Sequence, residues 1–438
     1  MEHATFSRLF PPSTHGPHPV VLLDGGMGTT LQAPPFELKL DSALWSSELL
    51  ATEEGKAQLT KLHEAWIEAG ADIVETCTYQ SSLPLFLPPS SSSYSDSTLT
   101  SALSTMTAAL PVAVSCCSSS SLPSSSSSKK PVAALSLGPY GSSLQPGQEY
   151  GGLYPAPFGP AGASYTSTTP SKPACPEAAL DAAPLPLDLV RLPAPSAQSE
   201  HELHLAAWHL RRLLDFSSSS SFDSPSLALL AFETVPLLAE ARAIRRAVAA
   251  FNAHPSHAGK RGKAWYISFV FPRVEGEEGG DAVRFPDPAE EAAALPSLKV
   301  QAEAIVAASL GDLGEGYATP GGIGFNCTSP LHAKAVVAAL SAAVAALPLK
   351  QREEGKEGEK PWLFLYPDGG ATYDVHTRSW HTPEGLTDEE WAVLVADAAA
   401  AGRAAGVWGG VGVGGCCKAG PGAIAALGRE VRGRGWRE

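Results

Sequence analysis

The chain has little of what the simplest folding and binding devices require. Of its 438 residues only 7 are cysteines, an odd number without regular spacing, which argues against the disulfide framework that staples small secreted domains. Basic charge is also scarce: 31 Lys+Arg stand against 45 Asp+Glu, for a net charge of -14. Counterion release from a phosphate backbone would then work against binding, so nucleic acid is not an expected partner. No run of about 18 uninterrupted apolar residues occurs, so a membrane-spanning helix is not expected. The opening "MEHATFSRLFPPSTHGPHPVVLLDGG" lacks the pattern of an export signal. These absences lead to the expectation of a soluble, cytoplasmic protein.

What is present is a hydrophobic content of 44%, enough for a large core. Eight segments share one form, a short apolar run ending in small or polar residues. They are "VVLLDGG" (20–26), "ADIVETCTYQ" (71–80), "PVAALSLGPYG" (131–141), "LALLAFETVP" (227–236), "AWYISFVFP" (264–272), "GGIGFNCTSP" (321–330), "PWLFLYPDGG" (361–370) and "GVWGGVGVGGCC" (406–417). Continuous apolar runs of this length suit parallel strands buried on both faces. Stretches rich in Ala, Leu and Glu at 52–69, 201–215, 237–251, 297–309, 331–347 and 387–404 read as the helices between them. Eight such units predict a (β/α)8 TIM-type barrel, one domain with its core at about 19–430.

Two regions break the pattern. Residues 84–130 and 153–199 are rich in Ser, Pro and Ala, a composition that does not offset ordering entropy by burial, so both are expected to be mobile low-complexity insertions. Cys116, Cys117 and Cys175 fall within them and are expected to be exposed and without function. The helix between strands two and three is expected to be largely replaced by serine-rich sequence.

Barrel active sites lie at the C-terminal ends of the strands. The runs deliver Asp24, Glu75 with Thr76, Tyr140, Glu233, Ser268, Cys327, Asp368 and the pair Cys416 and Cys417 to that rim. Three thiolates would leave one tetrahedral position on Zn2+ open, the arrangement of a catalytic site, and soft sulfur favours zinc over magnesium or calcium. Taken singly, each cysteine is as well explained as a small buried hydrophobe.

The motifs "LLDGGMGTTLQ", "DSALWSSELL", "ETCTYQSS", "LGPYGSSLQPGQEYGG", "FETVP", "GIGFNCTSP", "YPDGGATYDVHTRSW" and "GGCC" together resemble the homocysteine S-methyltransferase family, most closely its S-methylmethionine-dependent members. The resemblance implies a barrel with Zn2+ held by Cys327, Cys416 and Cys417. It also implies that Asp24 and Glu233 hold the amino-acid moiety of homocysteine, and that the activity is methyl transfer from a sulfonium donor, making methionine. S-adenosylmethionine is the second candidate donor, and a selenocysteine acceptor, a betaine donor or an inactive zinc- or amino-acid-binding barrel are the alternatives. The glycines after Asp24, Gly25 first, let backbone approach a ligand and offer N–H groups to a carboxylate. Tyr140, Glu149 and Tyr150, on the loop after strand three, suit a sulfonium or ammonium cation. Ser268 is expected to be a further substrate-binding residue, and Asp368, Tyr373 and Asp374 could orient substrate or form a turn. Trp45 is expected to pack the first loop. Two departures stand out: Lys418 and Ala419 replace an arginine and a threonine usual in the family, and strand eight is unusually long and glycine-rich.

Overall fold

A computed structural model of the chain describes residues 5–11, 18–89, 91–119, 130–159, 171–192, 198–257, 262–274, 282–287, 297–347, 359–370, 372–374, 379–381 and 385–437. Eight parallel strands form the centre: β1 (Val20–Leu22), β2 (Ile73–Glu75), β3 (Val132–Leu137), β4 (Leu227–Val235), β5 (Ala264–Phe269), β6 (Gly322–Asn326), β7 (Trp362–Tyr366) and β8 (Val411–Val413). They run in the order β1-β8-β7-β6-β5-β4-β3-β2. The ring closes between β1 and β2 through a bridge from Leu23 to Ile73 and the bonds Asp72 N–H to Leu22 O (2.8 Å) and Asp24 N–H to Ile73 O (3.0 Å). Asp72 adds its side chain to this seam. Its carboxylate accepts the Leu22 N–H at 2.8 Å and is held by the Arg437 guanidinium at 2.9 Å.

Helices cover the ring: α1 (Glu53–Glu68), α2 (Asp96–Thr107), α3 (Ala109–Ser119), α4 (Glu200–Ser217), α5 (Leu238–Ala253), α6 (Leu298–Leu310), α7 (Pro330–Ala345), α8 (Asp388–Ala404) and α9 (Pro421–Gly433). The chain is thus a (β/α)8 barrel, as its periodic runs predict. All nine positions of β4 are buried, because outward side chains meet helices and inward ones meet the barrel interior.

That interior is aromatic. The rings of Tyr266 and Phe364 stack at 4.0 Å, and Phe6, from the N-terminal turn, packs 5.0 Å from Phe364 and 5.5 Å from Trp362. Strand eight is glycine-rich to admit these rings: a Cβ on Gly412 would come within 2.5 Å of Phe364, and one on Gly410 within 2.6 Å of Trp362. Pairing large residues on one strand with none on its neighbour fills a small barrel without strain. The ladder of β8 covers only Val411–Val413, against Val20–Leu22 on one side and Leu363–Leu365 on the other, so the strand is shorter than the 406–417 run suggests.

The serine-rich stretch after β2 differs from expectation. Its described residues form neither a mobile insertion nor a replacement of the helix between strands two and three but hold α2 and α3, with Ser95 Oγ capping α2 by accepting the Thr98 N–H at 3.2 Å; residues 90 and 120–129 lie outside the described residues. Ala102, Met106, Leu110, Ala113, Cys116 and Cys117 are buried. They recur at helical spacing with serines on the other face, a pattern that composition averaged over the segment conceals. Cys116 and Cys117 are therefore core residues, not exposed ones. By length and composition alone Asp96–Ser119 is apolar enough to cross a membrane; here it packs over the barrel between α1 and β3.

In the second region, Lys172–Pro173 pair with Leu144–Gln145, and Glu177–Asp181 and Leu187–Val190 form short helices. Cys175 is half-buried there. The remainder, 160–170 and 193–197, lies outside the described residues. Helix α9 is absent from the helices expected above, although Pro421 at its first turn is a helix-start signal.

Candidate active site

The C-terminal strand ends surround a cavity of about 380 Å3 whose wall includes Asp24, Glu75, Glu233, Cys327, Cys416 and Cys417. Cys327 follows β6 and the other two cysteines follow β8, yet all three sulfurs lie within 4.8 Å of one another. Cys327 and Cys416 are in sulfur contact as a disulfide, with Cα atoms 5.5 Å apart, while Cys417 is a free thiol. Cysteine spacing alone did not anticipate this pairing, because the ring brings together ends that are distant in sequence.

Backbone bonds lace the turns in place. Cys416 N–H donates to Pro367 O (2.8 Å), Gly369 N–H to Cys417 O (2.8 Å) and Asp368 N–H to Thr328 O (3.1 Å). The turn after β7 therefore ties both cysteine turns. From the other side, Thr29 Oγ1 accepts the Lys418 N–H at 2.8 Å, and Gly26 N–H donates to Ala419 O at 3.0 Å. The Gly26 amide grips the cysteine turn rather than presenting itself to a substrate carboxylate. Gly25 lines the cavity, where a Cβ would come within 2.6 Å of the Trp66 ring. Trp45 packs over Gly28 and also reaches the cavity wall. Thr234, Cys327 and Lys418 have φ of 56°, 47° and 66°, a left-handed backbone costing on the order of 1–3 kcal/mol each and sustained only by surrounding contacts.

Asn326, at the end of β6, supplies many of those contacts. Its Oδ1 accepts the Thr234 N–H and the Ser268 hydroxyl, both at 2.8 Å. Its Nδ2 donates to Thr234 Oγ1 at 2.7 Å and approaches Cys416 Sγ at 3.7 Å. Asn326 is thus fully engaged in fixing the turn that carries Glu233 beside the cysteines. Ser268, read from sequence as a substrate contact, is instead fully buried and acts on the site through Asn326.

The wall is strongly acidic. Asp24 Oδ2 accepts the Glu75 N–H at 2.8 Å, yet burial, with the Glu233 charge, holds its carboxyl well above the usual range. Burial likewise raises Glu233, against the bond it accepts from the Ser136 hydroxyl. Burial lifts Glu149 and Asp368 to about 7. Burial, followed by the charges of Asp368 and Glu149, pushes the Cys417 thiol up to about 12. Among the described residues that line the cavity, none is Lys, Arg or His. Once a two-electron reductant opens the Cys327–Cys416 bond to two thiols, three convergent sulfurs in an acidic wall, with no fourth His, Cys, Asp or Glu in the group among the described residues, fit a soft divalent cation with one open position.

Tyr140 departs from expectation. Its N–H donates to Glu240 Oε1 at 2.7 Å, and its ring stacks on Phe158 at 3.8 Å and meets Trp208 edge-on at 5.6 Å. The side chain is turned away from the cysteine cavity into a separate apolar pocket on the outer side of the loop. Glu149 and Tyr150 of the same loop do line the cavity. The side chains of Tyr373 and Asp374 lie outside the described residues.

Arg212 has no counterpart in the sequence reading. Buried on α4, its guanidinium donates to Ser81 O (2.8 Å), Gly138 O (2.7 Å), Thr78 O (3.1 Å) and Tyr79 O (2.9 Å), pinning the loops after β2 and β3. The signal was available: Arg212 follows Trp208 by one helical turn on the apolar stripe of α4.

Against known proteins, residues 21–172 and 196–431 match the family described as homocysteine S-methyltransferase. Similar proteins include Homocysteine S-methyltransferase 4 of Zea mays, 24% identical with 94% of this chain and 89% of the relative covered. Homocysteine S-methyltransferase YbgG of Bacillus subtilis (strain 168) is also 24% identical, with 92% of each covered. Selenocysteine Se-methyltransferase of Brassica oleracea var. italica is 22% identical, with 94% and 89% covered. In fold, the chain resembles the oxidized form of the homocysteine methyltransferase MmuM from Escherichia coli, with TM-score 0.52, 21% identity, and 94% and 96% coverage.

Proposed function

Because this chain belongs to the homocysteine S-methyltransferase family, we propose that it transfers a methyl group from S-methylmethionine to the thiol of L-homocysteine, with Zn2+ held by Cys327, Cys416 and Cys417. The supporting observation is the convergence of three sulfurs within 4.8 Å of one another, on the cavity wall that carries Asp24 and Glu233. Zinc bound there would keep the substrate sulfur deprotonated near neutral pH, where a free thiol of pKa about 8.5 is mostly protonated.

The chain's own residues supply binding and orientation. Asp24 and Glu233 receive the ammonium group of homocysteine, and the ion pair offsets the cost of burying their charges. Asn326 keeps Glu233 and the cysteine turns in fixed relation, so the homocysteine sulfur is held at the metal ligands while its amino end is anchored. Glu149 and Tyr150 face the cavity and attract the sulfonium donor. A new sulfur–methyl bond then forms in line as the sulfonium–methyl bond breaks, and the donor leaves as a neutral thioether. Holding the two reactants in line is the main source of acceleration.

The test is metal analysis of the purified protein, followed by parallel assays with S-methylmethionine, S-adenosylmethionine and betaine as donors, and homocysteine and selenocysteine as acceptors. Fastest methionine formation from S-methylmethionine and homocysteine is expected. A zinc-free preparation with full activity, or none under any pairing, would refute the proposal.

A pH effect follows from Glu149. Burial raises this carboxyl to about 7, so it is neutral below that pH and anionic above it. Affinity for a cationic donor should therefore rise with pH: kcat/KM for the donor climbs between roughly pH 6 and 8. Glu149→Gln should lower that parameter about tenfold at the upper end and flatten the climb, leaving the homocysteine KM unchanged. An unaltered profile in the variant would remove Glu149 from the donor site.

A further inference from the structure

Glu75 has no role in the mechanism above, yet it ends β2 and opens into the same cavity as Asp24 and Glu233. Two contacts fix it. Its N–H donates to Asp24 Oδ2 at 2.8 Å, and its Oε1 accepts the Tyr266 hydroxyl at 2.9 Å. Glu233, on the same wall, accepts the Ser136 hydroxyl. Three buried carboxyl groups that share one cavity do not all carry charge, so one of them keeps a proton; Glu75, raised by burial and then by both Glu233 and Asp24, is the one that holds it.

We propose that Glu75 is the third carboxylate of the ammonium pocket, a specificity-determining residue that is protonated in the empty site and releases its proton when a substrate ammonium enters. This rests on the reading of Asp24 and Glu233 as the ammonium site. In the exchange only the Glu75 O–H bond breaks. The proton passes to solvent buffer, the ammonium takes its place between the carboxylates, and no electrons are transferred. One positive charge enters as another leaves, so the net charge of the pocket is unchanged.

The surroundings favour this exchange. The groups facing Glu75 are Asp24 from the end of β1, Glu233 from β4, Tyr266 from β5 and Tyr366 from β7. All are acidic or neutral, and the described residues lining the cavity include no Lys, Arg or His to neutralise three carboxylates. Burial, then the charges of Glu233 and Asp24, accordingly hold the Glu75 carboxyl well above its ordinary value. A ligand without an ammonium group leaves the proton in place and gains nothing from the third carboxylate, so Glu75 sharpens selection for amino acids over their deaminated analogues.

Calorimetric titration with L-methionine tests this on the purified, metal-loaded protein, in two buffers of different ionisation enthalpy near neutral pH. The unaltered protein is expected to release about one proton per methionine bound, and its affinity to rise with pH. Glu75→Gln should release none, bind methionine about tenfold more weakly and lose the pH dependence. Methionine binding without proton release by the unaltered protein overturns the inference, as does equal release by both proteins. The first of these needs no variant, so a Glu75→Gln protein that fails to fold leaves the test intact. Failure of the underlying reading is separately visible, as absence of methionine binding or of homocysteine methylation by the unaltered protein.

Discussion

Cys327→Ser is expected to abolish metal retention and methionine formation together, with turnover falling at least about a thousandfold. Disturbing the partner of a metal ligand typically costs 10- to 100-fold, and removing one of only three ligands should cost more. A serine hydroxyl is a hard, neutral donor and does not replace a thiolate on zinc. Because serine is similar in size and accepts the φ of 47° at this position about as well as cysteine, the fold should persist, as circular dichroism would show. Cys175→Ser, at a half-buried thiol outside the cavity, should leave metal content and rate unchanged. Full activity in a zinc-free Cys327→Ser protein would sink the mechanism.

The second large effect concerns stability. Arg212→Met preserves much of the apolar stem but leaves the carbonyls of Thr78, Tyr79, Ser81 and Gly138 without their donor, and removes a guanidinium lying 4.5 Å from the centre of the Trp208 ring. Hydrogen bonds to charged groups contribute roughly 1.5–3 kcal/mol each, and water that enters the gap recovers part of the loss. A net destabilisation on the order of 4 kcal/mol is expected, read from urea unfolding. Both loops that Arg212 pins lead into the cavity, so homocysteine KM should rise as well. A variant as stable as the parent would mean that these carbonyls find other donors at no cost.

Much of the barrel was legible because a parallel strand buried on both faces leaves a continuous apolar run, and eight such runs stood out. The cysteines after β6 and β8 were legible as residue types at strand ends. Their convergence came from the family resemblance rather than from spacing. Helices α2 and α3 were missed because serine dominates their composition while Met106, Leu110 and Cys117 keep a buried face, and only periodicity reveals that. Tyr140 was misassigned for a different reason: a loop aromatic has two sides to choose from, and its bond to Glu240 and stack on Phe158 select the outer one. Asn326 and Arg212 act through hydrogen bonds between positions far apart in the chain, a link that no local pattern encodes.

The seam between β1 and β2 bears on how the protein is made. Asp72 emerges from the ribosome early, whereas Arg437, which fastens it, follows 365 positions later. At about 5–20 residues per second, that delay is on the order of 20 to 70 s, during which the nascent sheet has an unlatched border. Open sheet borders recruit foreign strands, so the growing polypeptide is exposed to mispairing until Arg437 arrives and the ring is latched from behind.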